Sequence, residues 1–289
     1  MQPIKFPPVS FCRALVLLGA ALACGASAQQ AQNVLPDAPA PSPQQQTQAG
    51  DKDAPTLRNL PRNILYDQAG IWTSPLRIRA HDLLWLLPLG AATGAAIATD
   101  TTAMRDEVSR DKGFNNGNTT ASNVLVGSMI FTPAVFYGVG LFNDDDHSRE
   151  TGLLGAEAMG DAVVVEQGMK LVFWRERPDQ HNARGDFFQT NVGWDSSFPS
   201  SHTVIAWSAA AVIASEYPHP LPVILSYTGA TAIALTRVLG QQHFPSDVLV
   251  GSAAGWLIGH YVYRKHHRWV EQKGWVPVKP LPNPYPNHK

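Results

Sequence analysis

Three separated segments between Lys170 and Asp247 carry side chains that could do chemistry together. They are Lys170 with Arg177-Pro178, then Pro199-Ser200-Ser201-His202, then Thr236-Arg237 with His243 and Asp247. Between them they supply one lysine, two arginines, two histidines, a carboxylate and a serine pair. That inventory fits work on a phosphate. Cations hold the dianion, one imidazole attacks phosphorus, and the other protonates the leaving oxygen.

Each segment also has a plainer reading. Lys170 and Arg177 are seven positions apart, nearly two helical turns, which places both on one face of a helix. Pro178 discourages that helix from continuing. An arginine fork and a lysine point charge suit a phosphate, but a cationic helix end also complements the helix dipole. Ser200 is placed to cap a helix, whose free N–H groups would form an anion site with His202 in the first turn. The alternative is an ordinary capped helix with a surface histidine. In the third segment Gly240 can end one helix and Pro245 open the next. His243 then falls in the loop and Asp247 in the following first turn. A carboxylate there can accept one imidazole N–H and leave the other nitrogen free as a nucleophile. A His–Asp pair that simply staples two helices is the bland counterpart.

Taken jointly and in this order, the segments resemble the type-2 phosphatidic acid phosphatase superfamily, which includes bacterial acid phosphatases and vanadium haloperoxidases. Its signature is K-x6-R-P, then P-S-G-H, then S-R-x5-H-x3-D. The resemblance covers roughly residues 81–265. It implies an all-α bundle in which the three motifs meet at one phosphate pocket. Carried over by position, Lys170, Arg177 and Arg237 would hold the phosphoryl oxygens, with hydrogen bonds from Ser200 and the N–H of Ser201. His243 would become the phosphohistidine, His202 would act as acid, and Asp247 would orient His243. Two positions depart from the signature. Ser201 stands where the family has glycine, at a cost of roughly 1 kcal/mol or more if that backbone needs a positive φ. Thr236 replaces serine and keeps the hydroxyl.

The activity implied is an exported phosphatase that needs no metal or cofactor and acts on phosphate esters, lipid phosphates included. A vanadate-dependent haloperoxidase on the same pocket is one rival. A non-catalytic envelope protein that binds phosphate or phospholipid, motivated by Ser201, is the other.

Positioning these segments falls to helices. Apolar patterning predicts them over His81–Thr99, Thr119–Phe142, Glu150–Trp174, Thr203–Tyr217, Leu221–Leu239 and Pro245–Tyr263, with a kink at Pro133. Asp111–Asn118 reads as a loop, and Asn143–His147 as a solvated acidic turn rather than a metal site. The fold class is all-α, a single bundle of about six core helices over residues 81–268. Residues 57–80 form an ordered lead-in. Asp179–Phe198 is a long loop beside the site, and Phe187, Phe188 or Trp194 is expected to line the substrate entrance. Gly90 with Gly94, and Gly251 with Gly255 and Gly259, recur at helical spacing. Membrane-helix association and close packing within the bundle both explain them.

Lys5 and Arg13 precede a short apolar run that ends in Ala26-Ser27-Ala28, so residues 1–28 read as a signal peptide. Residues 29–56 are a Gln/Pro-rich linker disordered by composition, and 269–289 a C-terminal tail. Both cysteines, Cys12 and Cys24, lie in the leader, so unless Cys24 is lipidated, the lesser alternative, the mature chain has no cysteine for disulfide or thiol chemistry. A net charge of −1 with no basic stripe excludes nucleic acid as a partner. Val248–Tyr263 and Thr203–Ser215 fall short of the ~20 residues a membrane span prefers. Glu157, Asp161 and Glu166 would be costly in lipid, whereas Arg264–Arg268 resembles a cytoplasmic flank. The balance favours an extracytoplasmic bundle, compatible with membrane association.

Overall fold

The computed structural model describes residues 55–268. The expected signal peptide, both cysteines, all but the last two residues of the linker, and the C-terminal tail lie outside them. Among the described residues all regular structure is helical: α1 (Leu60–Thr73), α2 (Leu83–Thr102), α3 (Lys112–Asn143), α4 (Asp146–Phe173), α5 (Ser201–Glu216), α6 (Pro220–Leu239) and α7 (Pro245–His266).

Local chemistry sets several boundaries. The Asp111 carboxylate accepts the N–H of Phe114 at 2.8 Å and starts α3 there. The stretch expected to be a loop, Asp111–Asn118, is therefore the cap and first turns of a helix, because a side-chain acceptor outweighs its Gly and Asn content. The acidic run is likewise structural. Asp144 takes a left-handed conformation at the end of α3, and Asp145 caps α4 by accepting from His147 N–H. Prolines open α6 and α7. The lead-in is itself mostly helical and forms α1, packed on α4.

The core is built on α5. It packs against α7, α6 and α4, while α3 lies across α4 and α6. A β-carbon at Gly255 would collide with Val204 O, and one at Gly259 with Ser208 O, so these glycines let α7 and α5 approach backbone to backbone. Gly90 and Gly94 have no such neighbour. Trp207 of α5 is fully buried against Tyr227 of α6, with ring centroids 5.4 Å apart.

Among the described residues, three stretches are long and apolar enough to cross a membrane by length and composition: Ala80–Glu107, Lys112–Asn143 and Pro220–Leu239. They carry exposed Leu84, Leu87, Phe131 and Leu225. Glu157, Asp161 and Glu166 do not add to the outer surface. All three are buried inside the bundle and face other helices instead of the outer surface.

Candidate active site

The three motif segments reach one place by different routes. Lys170 sits in the last turn of α4. The helix stops at Phe173, and Trp174 turns left-handed with φ 37°, so Arg177 belongs to the loop beyond rather than to the same helical face. Proline's hindrance acts on the residue before it, and here the chain left the helix earlier still. Arg177 is fixed instead by Asp195, its Nε 2.9 Å from Oδ1, and by donation from Nη1 to the backbone O of Gln242 at 3.1 Å. Ser200, Ser201 and His202 occupy the N-terminus of α5. Arg237 lies in the last turn of α6, and α6 closes at Gly240. His243 follows in the short connection, and Asp247 is in the first turn of α7.

The electrostatics record the convergence. Burial lowers the pKa of His243 well below the usual imidazole value, and the charges of Arg177, Arg237 and Lys170 push it further. His202 is lowered to about 4, again by burial first and then by Arg237, Arg177 and Lys170. The same three cations therefore act on both imidazoles. Asn123 of α3 joins two members of the site. Its Oδ1 lies 2.9 Å from His202 Nε2 and accepts from Arg237 Nη1 at 3.4 Å. Gln242 links Arg237 to Arg177, since its Oε1 also accepts from Arg237 Nη2 at 3.5 Å. The Nε of Arg237 is buried without a hydrogen-bond partner.

His243 is anchored differently from expectation. Its Nδ1 is 2.8 Å from the backbone O of Ser197, whereas Asp247 Oδ2 stands 3.6 Å away. A carbonyl only accepts, so Nδ1 carries the proton and Nε2 keeps its lone pair. Asp247 acts one step removed. Its Oδ2 accepts from Ser197 Oγ at 2.5 Å and from Phe244 N–H at 2.8 Å, shaping the loop that presents the carbonyl. Oδ1 accepts from Arg175 Nη1 at 2.6 Å.

Arg175 is the main residue that the motif spacing hid, since it falls among the unspecified positions between Lys170 and Arg177. It is 2% exposed and bridges Asp247, Ser246 Oγ at 2.7 Å and Asp100 Oδ2 at 2.7 Å. The rings of Phe187 and Phe244 flank its guanidinium, 4.5 and 4.1 Å from their centroids. Arg175 thus ties α2, the loop after α4 and the start of α7. Phe187 anchors this network and packs on Phe173 and Phe198, while Phe188 and Trp194 are exposed.

The serines are used as follows. Ser200 is at the cap position but makes no side-chain cap bond, and its Oγ instead accepts from Thr203 at 3.0 Å. Ser201 is helical and does not need a positive φ, so the strain that its replacement of glycine could have caused is absent. Its Oγ donates to Glu166 Oε1 at 2.5 Å and accepts from Lys170 Nζ at 2.9 Å. Glu166 is itself 2.8 Å from that lysine. The Thr236 hydroxyl is spent on its own helix, bonded to Ala232 O at 2.8 Å. Changing Ser201 to glycine is expected to cost about 1.5–3 kcal/mol of stability, the worth of hydrogen bonds to charged groups. Phosphate-site function should survive within about tenfold, since Lys170 keeps Glu166. Denaturant unfolding and vanadate binding measure the two separately.

Similarity to known proteins follows this geometry. The PAP2 superfamily profile matches residues 151–271. A lipid A 1-phosphatase of Porphyromonas gingivalis is 33% identical over 38% of this chain and 23% of its own length. A decaprenylphosphoryl-5-phosphoribose phosphatase of Mycobacterium tuberculosis is 38% identical over 39% of this chain and 60% of its own length. The chain thus spans less than two thirds of either relative. A solved transmembrane PAP2 type phosphatidylglycerolphosphate phosphatase from Bacillus subtilis is 24% identical, with TM-score 0.43 over 62% of this chain and 91% of that one.

Proposed function

We propose, from the match of residues 151–271 to the PAP2 superfamily, that this chain is a phosphatase that hydrolyses lipid-borne phosphate esters through a phosphohistidine. The observation that carries the proposal is the hydrogen-bonded chain from His202 through Asn123 to Arg237 and through Gln242 to Arg177, with His243 in the same connection held as the Nδ1–H tautomer. Lys170, Arg177 and Arg237 would neutralise the phosphoryl oxygens as charge spreads over them. His243 Nε2 would attack phosphorus. The bond from phosphorus to the leaving oxygen would break as His202 passes its proton to that oxygen. His202 would then take a proton from water, whose oxygen displaces the histidine and releases phosphate. No step calls for a metal, because the fixed cations supply the electrostatic stabilisation a metal would otherwise provide.

Lipid substrates are supported by the names of the two relatives and by the exposed apolar surfaces of α2, α3 and α6. Exposed Phe188 and Trp194 sit in the loop that carries Asp195, the partner of Arg177, where an acyl or prenyl chain could lie beside the phosphate. On this reading the protein is exported and membrane-associated, with the pocket facing away from the cytoplasm.

The test is phosphate release from a lipid phosphate presented in detergent micelles. Hydrolysis is expected to continue after EDTA treatment and to be inhibited by vanadate, whose trigonal-bipyramidal form resembles the transferring phosphoryl group. Loss of turnover on chelation, or indifference to vanadate, would overturn the mechanism.

A further inference from the structure

α3 contributes to the pocket from outside the three motif segments. Asn123 lies in the first half of that helix, ahead of residues 151–271, which match the PAP2 superfamily. Its amide oxygen has two neighbours in the site. Nη1 of Arg237 reaches Oδ1 at 3.4 Å, and a guanidinium only donates, so the atom facing it is the oxygen of the amide and not its nitrogen. The same Oδ1 is 2.9 Å from Nε2 of His202. An amide oxygen only accepts, so Nε2 carries the proton and Nδ1 keeps its lone pair.

The surroundings of His202 give that bond its consequence. The charges acting on the ring are Arg237 of α6, Arg177 of the loop after α4 and Lys170 of α4, which is paired with Glu166. Burial first, and then these cations, hold the pKa of His202 down at about 4. The ring is therefore neutral in the free site at neutral pH, and its one proton sits at Nε2. An acid for the leaving oxygen needs a second proton. The amide of Asn123 is uncharged, so it holds Nε2–H without raising the pKa of the ring as a carboxylate would, and without neutralising Arg237. Arg237 has further anchors in Ser122 Oγ at 3.3 Å and Gln242 Oε1 at 3.5 Å.

We infer that Asn123 is a positioning residue for the general acid: it holds the His202 ring through Nε2–H and so assigns proton exchange with the substrate to Nδ1. The inference rests on the phosphatase reading above. A bound phosphate dianion opposes the three cations, and a proton taken up at Nδ1 then makes the imidazolium. As the bond from phosphorus to the leaving oxygen breaks, that oxygen keeps the electron pair and takes the Nδ1 proton. Nδ1 next removes a proton from the water that displaces His243. Nε2–H stays on Asn123 throughout, so one nitrogen serves both halves of the reaction and the ring need not turn.

The experiment uses the full chain in detergent micelles, with histidine labelled in its ring nitrogens and His202→Gln to identify the His202 signals. In the wild type the nitrogen shifts of His202 should report the Nε2–H tautomer, and Asn123→Leu should lose that bias. Asn123→Leu should also lower kcat/KM for an alkyl phosphate by about 10–100-fold, through a misplaced acid. The loss with p-nitrophenyl phosphate, whose leaving group needs no proton, should be at least about tenfold smaller, whereas simple structural damage would depress both substrates alike. Asn123→Asp should raise the His202 pKa by about one unit or more, since a carboxylate favours the imidazolium. That variant should keep kcat for the alkyl ester and raise its KM, because Arg237 is partly neutralised. A wild-type Nδ1–H ring, equal losses on the two substrates, or an unmoved pKa in Asn123→Asp would overturn the role of Asn123. No phosphate release by a wild type that shows the expected tautomer would instead overturn the phosphatase reading and leave the tautomer of His202 assigned to Asn123.

Discussion

Replacing His243 with alanine is expected to lower phosphate release by at least about 10⁴-fold, because it removes the atom that takes up phosphorus. The position is 1% exposed, and the free Nε2 depends on the Nδ1 bond to Ser197 O. Replacing His202 should separate the two chemical halves. With an alkyl leaving group the loss is expected at about 10²–10⁴-fold, the usual worth of a general acid. With p-nitrophenol, which leaves without a proton, His202→Ala should give a burst and a trapped phosphoryl label that is acid-labile and alkali-stable. The pH profiles should divide as well. In the free site His202 is lowered to about 4 by burial and the three cations, so few molecules hold its proton at neutral pH. A bound dianion opposes those cations and raises that pKa, so the alkaline limb of kcat should lie at higher pH than that of kcat/KM. Rapid-quench and steady-state assays on both variants check this. An unchanged rate in either one would sink the assignment.

Arg175→Met should cost about 3–5 kcal/mol of stability, the penalty for removing one partner of a buried ion pair. Asp100 is 1% exposed and Asp247 0%, so both carboxylates would be left uncompensated inside the core. Burial already raises the pKa of Asp247, and the charge of Arg175 opposes that rise. Activity should fall with stability, because the Asp247 contact to Ser197 presents the carbonyl that sets the His243 tautomer. Adding Asp100→Asn to Arg175→Met removes one stranded charge and should recover part of the lost stability. Chemical unfolding of the single and double variants tests it. A single variant as stable as wild type would show that the network is incidental.

The residues with catalytic potential were legible because each lies in a short segment whose side chains have rigid relative spacing along the chain. Lys170, the Ser200–His202 turn, and Arg237 through Asp247 could be found without knowing what they touch. Helical periodicity likewise announced the bundle, since burying one face of a helix writes a repeat into a local window. The lead-in failed that test. Polar and aromatic residues dilute the repeat in 57–80, and α1 exists because it packs on α4.

What tertiary structure alone decided is the identity of partners. His243 was expected to bond its carboxylate at i+4, yet a backbone carbonyl 46 residues away came closer. Arg175 meets Asp100 across 75 positions, and Asn123 meets His202 across 79. Ser201 was foreseen as a possible strain and proved to be a hydrogen-bonded link between Glu166 and Lys170. The sequence by itself determined which groups could hold and attack a phosphate, and roughly the order of helices that carry them. Only the packed structure chose where each proton sits and which charges neutralise one another. Such choices depend on distances of a few ångströms between segments far apart in the chain, and no local pattern of residues encodes those distances.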